Sequence, residues 1–166
     1  MSNIDESVLI LGASSVEPSI YSALEKGINI GTILNVSSYV DYVASSPIQT
    51  KMFVEQTKED ENFNQLLIER AFDCIDKAEF IIVDLSNAST GMGVELCYLL
   101  TKYGDSKLIS FIAKEGSKAS PHILGLYKIA TQKEPKVEYY TCELDVVSAV
   151  KRTSGYQDYV SSHDLI

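Results

Sequence analysis

Short apolar or β-rich runs alternate along this chain with segments of helical spacing, and this alternation is the strongest constraint on its fold. The runs are residues 8–11, 30–36, 80–83, 108–112 and 137–140. Runs that are apolar at successive positions are typical of strands buried on both faces of a parallel sheet. We therefore predict an α/β fold, a single doubly wound domain of the flavodoxin or Rossmann kind with a five-stranded parallel sheet.

Helical patterns fill the segments between the runs. They predict helices over residues 18–27, about 49–78 with a break near 59–61, about 91–103, 120–125 and 144–152. No repeat and no long linker divides the 166 residues, so we expect one domain with its core at about residues 7–152. The segment after Thr153 is polar, and we expect this C-terminal tail to fray.

The charge balance excludes some partners. The chain carries 14 Lys and Arg against 23 Asp and Glu, a net charge of −9. Polyanion binding depends on basic residues that displace counterions, so neither nucleic acid nor an anionic membrane is an expected partner. The sequence has no secretion signal and no run of the roughly 18 apolar residues that a membrane span needs. A cytoplasmic location is therefore expected.

The cysteines and histidines do not indicate a metal site. Cys74, Cys97 and Cys142 are far apart and form no CxxC pair, which favours buried reduced thiols over a disulfide or a metal centre. His122 and His163 have no third metal-type ligand near them in sequence, which favours surface or capping roles. We expect no metal and no cofactor.

The stretch from Asp84 to Glu95 carries the residues best suited to chemistry. It follows the apolar run 80–83, continues through small polar residues and glycines, and opens an apolar helical segment. In an open α/β sheet, ligands lie at the carboxyl ends of strands, where glycines let a substrate approach the N–H groups of a helix N-terminus. Glu95 would then face a bound ligand.

Each of these residues also has a structural explanation. An acid near a helix N-terminus gains about 0.3 to 1 kcal/mol from the macrodipole. A capping box would need Ser or Thr three residues before Glu95, and that residue is Met92. Asp84 is a common turn former, and Ser86 and Ser89 can cap a helix or donate to a phosphate. On spacing alone both explanations stay open.

Three segments carry a family resemblance. AEFIIVDLS at 78–86, with STGMGVEL at 89–96, resembles the signature of the nucleoside 2-deoxyribosyltransferase family, closest to its 2′-deoxynucleoside 5′-phosphate N-hydrolase branch. GSKASPHILG at 116–125 resembles that branch's segment between the fourth strand and its helix, and GAS at 12–14 is a looser match. The resemblance covers roughly residues 7–152.

The resemblance implies hydrolysis of the N-glycosidic bond of a nucleoside 5′-monophosphate. Glu95 would attack C1′ of the sugar and form a covalent ester that water resolves. At the position of Ser89 the transferase branch carries an acid, which would repel a phosphate. The implied substrate-binding residues are Gly12, Ala13, Ser14, Ser86, Ser89, Gly91, Gly93, Ser120 and His122. Ser120 would reach the neighbouring subunit's site, which implies a homodimer.

Two residues depart from the family pattern. The family's acid/base Asp, 24 residues before the nucleophile, is Ala71, and an aromatic of the first strand is Leu9. Asp73 lies about 200° around the helix from Ala71, so it cannot simply substitute. Asp84 is our candidate for the leaving-group chemistry. The alternatives are a degenerate nucleotide-binding or sensory module, a deoxyribosyltransferase, and a glycohydrolase of NAD.

Overall fold

A computed structural model describes residues 7–12, 17–28, 35–40, 59–87 and 89–163. The chain forms an α/β structure with a single sheet, and every pair of neighbouring strands in it is parallel. The strands are β1 (Ser7–Gly12), β2 (Asn35–Val40), β3 (Ala78–Asp84), β4 (Leu108–Lys114) and β5 (Val137–Tyr140), in the order β2-β1-β3-β4-β5. The predictions of an α/β class and a parallel sheet are confirmed.

The described helices alternate with the strands up to β5, which is followed by two successive helices. They are α1 (Pro18–Gly27), α2 (Phe63–Lys77), α3 (Thr90–Tyr103), α4 (Pro121–Thr131), α5 (Val146–Arg152) and α6 (Ser154–Ser162). Among the described residues, no helix combines the length and apolar character that crossing a bilayer requires.

The sheet separates two apolar clusters, because successive side chains of a strand point to opposite faces. Phe80 and Ile82 of β3 pack with residues of α1, α5 and α6. Ile81 and Val83 pack with residues of α2, α3 and α4. All four side chains are fully buried, which explains why this strand appears in the sequence as an uninterrupted apolar run.

Two predicted boundaries are corrected. The second strand was expected at 30–36, but β2 spans Asn35–Val40, so residues expected to form a connection are strand instead. Residues 30–34 of that prediction, and 49–58 of the predicted long helix, lie outside the described residues. The helix expected to end at Gly125 continues to Thr131 and ends where Gln132 takes a left-handed conformation with φ of 59°. A helical glycine costs only about 1 kcal/mol and does not by itself stop a helix.

The prediction of a fraying polar tail after Thr153 is wrong for residues 154–163. Thr153 caps α6 by accepting a hydrogen bond from the N–H of Tyr156 at 3.3 Å. Tyr156 and Tyr159 are buried, and the Tyr159 ring stacks on Phe80 with centroids 5.3 Å apart. A Cβ on Gly155 would lie 2.6 Å from a β4 carbonyl oxygen, so this glycine lets the helix approach the sheet.

Candidate active site

A cleft of about 220 Å³ lies between the N-terminal parts of α2 and α3. Its walls come from both helices: Asn64, Leu67, Ile68, Thr90, Gly91, Val94 and Glu95. Because α3 follows β3, the cleft lies near the carboxyl end of that strand, where parallel sheets place ligands. Glu95 therefore lines a cavity beside the first turn of its helix.

Glu95 is nearly inaccessible, with 3% of its surface exposed, yet it belongs to the cleft wall. Ser89 is the N-cap of α3, so Glu95 is the sixth helical residue, and the first turn contains no acid. The macrodipole acts mainly within the first turn, so it does not explain a carboxylate at this position. What distinguishes Glu95 is its place: a nearly buried carboxyl group, beyond the first turn of its helix, in the wall of a cleft.

At the position where the sequence resemblance implies an acid/base Asp, α2 carries Ala71. Ala71 is fully buried on α2. Asp73 is exposed and forms an ion pair with Lys77 at 2.7 Å, so it is turned away from the apolar face that holds Ala71. Burial raises the pKa of the Cys74 thiol.

Asp84 is held in a network on the opposite side of the sheet from the cleft. It is fully buried, and its place in β3 puts it on the face of Phe80 and Ile82. Tyr140 donates a hydrogen bond to its Oδ2 at 2.7 Å. Ser86 donates to its Oδ1 from the backbone N–H at 2.9 Å and from the hydroxyl at 2.5 Å.

The same network fixes Ser86 and shifts the acidity of its members. The Ser86 hydroxyl oxygen accepts a bond from the N–H of Lys114 at 2.7 Å, which ties the loop after β3 to the end of β4. Burial raises the pKa of Asp84, although the bonds from Ser86 and Tyr140 oppose this. Burial and the Asp84 carboxylate also raise the pKa of Tyr140. Neither Asp84 nor Ser86 lines the cleft.

Ser89, Gly91 and Gly93 lie at the start of α3, and of the three only Gly91 lines the described cleft. The Ser89 hydroxyl oxygen accepts a hydrogen bond from the N–H of Met92 at 3.1 Å, and this leaves its hydroxyl hydrogen for another acceptor. Gly91 lines the cleft. A Cβ added to Gly93 would meet no atom of the described residues within 4 Å.

The loop after β1 is only partly described. Gly12 ends β1 and is the register partner of Asp84. A Cβ on Gly12 would clash with the hydroxyl oxygen of the buried Tyr21, so packing favours a glycine here. Ala13 and Ser14, the other residues predicted to bind substrate from this loop, lie outside the described residues.

Ser120 and His122 are not part of the cleft in a single chain. Ser120 is the N-cap residue of α4, and its side chain makes no capping hydrogen bond. His122 is exposed in the first turn of that helix. Neither side chain lines the cleft that contains Glu95.

The wall that α2 contributes was not among the residues predicted from the sequence. Asn64 lies seven residues, about two helical turns, before the buried Ala71. Leu67 lies between them on the same stripe and is buried. A polar side chain on an otherwise apolar helical stripe was the available signal for Asn64.

Metal binding finds no support in the part of the chain that the structure describes. There, no three His, Cys, Asp or Glu side chains form a group that could hold a metal ion.

Comparison of the chain with protein-family models and with curated proteins finds no match.

Proposed function

We propose that this chain hydrolyses the N-glycosidic bond of a nucleoside 5′-monophosphate, with Glu95 as the nucleophile. The position of Glu95 carries the proposal: a nearly buried carboxyl group in the wall of a cleft, beyond the turn in which a helix dipole would account for it. A carboxylate suits this reaction because it stabilises positive charge that develops on the sugar.

The reaction takes place in two displacements. Glu95 attacks C1′, the bond from C1′ to the base nitrogen breaks, and an ester joins Glu95 to the sugar. Water then attacks C1′ and releases Glu95, so the net reaction adds a hydroxyl group to the sugar and a proton to the base. Asp84, held on the other side of the sheet, does not take part in our scheme.

The start of α3 provides donors for a phosphate. The first-turn N–H groups of Thr90 and Gly91 have no acceptor within their own helix, and a helix N-terminus favours an anion. Ser89 adds a hydroxyl group whose hydrogen is not used by its cap. Gly91 precedes Glu95 by four residues, about 6 Å along the helix, which leaves room for a sugar between phosphate and nucleophile.

The strand order agrees with a ligand site at this end of the sheet. The strand order β2-β1-β3-β4-β5 is the flavodoxin-like order, whose ligands bind where the chain direction switches between β1 and β3. We therefore assign the domain to the doubly wound class.

A homodimer belongs to the same proposal. Ser120 has a hydroxyl group that does not cap its own helix, and it does not line the cleft of its own chain. In a dimer arranged as the sequence resemblance implies, it would complete the phosphate site of the neighbouring subunit. Light scattering that finds only monomers at assay concentrations would contradict this part of the proposal.

The test is release of free base from a panel of nucleoside 5′-monophosphates, followed by chromatography. We expect Glu95→Gln to lower the rate about 10³-fold or more, as removal of a nucleophile does. Glu69→Gln, which changes an exposed acid on α2, is the matched control and should retain the wild-type rate. No release by the wild-type protein, or equal release by Glu95→Gln, would refute the proposal.

A nucleotide-binding module without turnover is the second candidate, because Ala71 replaces the family's acid and is fully buried. This candidate predicts stabilisation by a nucleotide without formation of product. A ligand at 100 times its Kd adds about 2.7 kcal/mol to the free energy of unfolding. Thermal unfolding with and without each monophosphate, combined with the base-release assay, separates the two candidates.

A further inference from the structure

We infer that Asn64 contacts the polar edge of the base and determines which base the cleft prefers. The inference rests on the proposed function, because it takes the ligand to be a nucleotide whose sugar lies against Glu95. It adds a specificity residue that neither the sequence resemblance nor the reaction scheme assigns.

The position of Asn64 is the first argument. It is the second residue of α2 and lines the same cleft as Glu95, which lies on α3. Among the residues that the structure describes, its side-chain amide has no hydrogen-bond partner. Asn64 is exposed, so its amide donor and acceptor are accessible to a ligand that enters the cleft it lines.

The surroundings of Asn64 are the second argument. The other side chains that α2 contributes to the cleft are Leu67 and Ile68, and α3 adds Val94. Such an apolar wall accepts the flat face of a base, whereas one amide among apolar groups fixes orientation. An Asn amide pairs in a bidentate manner with a base edge that offers a donor beside an acceptor, as adenine does.

The arrangement of the substrate is the third argument. The base is bonded to C1′, the atom that Glu95 attacks, so it lies next to the reacting centre. The polar groups of the α3 end of the cleft, at Thr90 and Gly91, are those that we assign to the phosphate. Asn64, on the other helix, is then the polar side chain of the described wall that remains for the base.

The experiment measures binding by calorimetry in a Glu95→Gln background, so that the ligands stay intact. The ligands are the deoxynucleoside 5′-monophosphates of adenine, guanine, cytosine and thymine, and 2-deoxyribose 5-phosphate, which lacks a base. Asn64→Leu keeps the size of the side chain and removes its amide. Gln65→Leu is the matched control, because this neighbouring amide is exposed and bonds to Glu69 at 2.6 Å.

We expect Asn64→Leu to weaken binding of the preferred nucleotide by about 5- to 150-fold, the value of one bidentate base contact. The affinities for the four bases should converge, and binding of 2-deoxyribose 5-phosphate should change less than twofold. Gln65→Leu should leave all five affinities within twofold.

Two results would overturn the inference: unchanged base preference in Asn64→Leu, or equal weakening of nucleotides and sugar phosphate. Failure of the proposed function gives a different pattern. If nucleotides bind but the wild-type protein releases no base, the hydrolase proposal fails, while the Asn64 inference is still decided by the binding ratios. If no nucleotide binds, both are refuted.

Discussion

Tyr140→Phe tests the buried network at the carboxyl ends of β3, β4 and β5. The substitution removes one oxygen atom and leaves the ring, so it opens no large cavity. The main interaction lost is the 2.7 Å bond that the Tyr140 hydroxyl donates to the fully buried Asp84 carboxyl group, and the 3.2 Å contact between the Tyr140 and Ser86 hydroxyl oxygens is lost with it. Three bonds are donated to this carboxyl group, two of them by Ser86, and they favour its ionised form.

The magnitude follows from the type of bond. A hydrogen bond to a charged group contributes about 1.5 to 3 kcal/mol. For a domain of this size, 1 kcal/mol corresponds to about 2 to 4 °C in Tm, so we expect Tm to fall by about 3 to 12 °C at neutral pH. Thermal and urea-induced unfolding, followed by circular dichroism, measure both quantities.

The loss of stability should depend on pH in a definite direction. Burial raises the folded-state pKa of Asp84 above its ordinary value of 3.8, so the folded state binds this proton more tightly than the unfolded state. The contribution of Asp84 to stability therefore falls as the pH rises from about 3.8 through the folded-state pKa. The Tyr140 bond lowers that pKa. Without this bond, ionisation of Asp84 at neutral pH therefore costs the folded state more stability.

The difference between wild type and Tyr140→Phe should shrink on acidification. Once Asp84 is protonated, the missing bond is one between neutral groups and is worth about 0.5 to 1.5 kcal/mol. Tyr139→Phe is the control, because Tyr139 is the preceding residue of β5 and is 43% exposed. Its effect should stay within about 0.5 kcal/mol. An unchanged Tm for Tyr140→Phe at neutral pH, or a difference that grows in acid, would refute the reasoning.

Three further substitutions test the helices around the cleft. Ser89→Ala removes the N-cap of α3 and should lower the free energy of unfolding by about 1 kcal/mol in urea titrations. If Ser89 also binds the phosphate, the KM of this variant should rise for a monophosphate and stay unchanged for the matching nucleoside. Gly93→Ala should stabilise the free protein by up to about 1 kcal/mol, since its Cβ meets no atom within 4 Å, and should weaken nucleotide binding in calorimetry if the ligand occupies that space. Asp73→Asn should leave base release within twofold of wild type, because Asp73 is exposed and paired with Lys77; a large loss would show that our assignment of the inward face of α2 is wrong.

Most of the sheet was predictable because its strands are buried on both faces. β3 and β4 carry apolar side chains toward helices on each side, so their positions follow from continuous runs. α6 was not predictable from hydropathy, because Tyr156 and Tyr159 provide its buried side among polar residues. Tyrosine buries a large ring, yet hydropathy scales rank it as weakly polar. Two buried positions three residues apart, Tyr156 and Tyr159, are too few to reveal a helical period.

The part of the candidate site that neighbouring residues of one segment form could be predicted from the sequence. The motif of a strand, a loop of small residues and a helix predicts that Glu95 lies near the sheet edge where ligands bind. In the structure Glu95 lines a cleft. The position of Asp84 and Ser86 depends instead on Tyr140, which is 56 residues from Asp84 in sequence. Such a contact is set by the pairing of β3, β4 and β5, and spacing within the motif contains no information about it.

The central claim is that Glu95 forms a covalent ester with the sugar, and the configuration of the product at C1′ tests it directly. A hydrolysis reaction run in aqueous methanol yields a methyl glycoside, whose anomeric configuration is stable and is read by proton NMR. Two displacements through Glu95 predict that the methyl glycoside retains the configuration of the nucleotide. Inversion would mean that solvent attacks the nucleotide directly, and it would contradict the account.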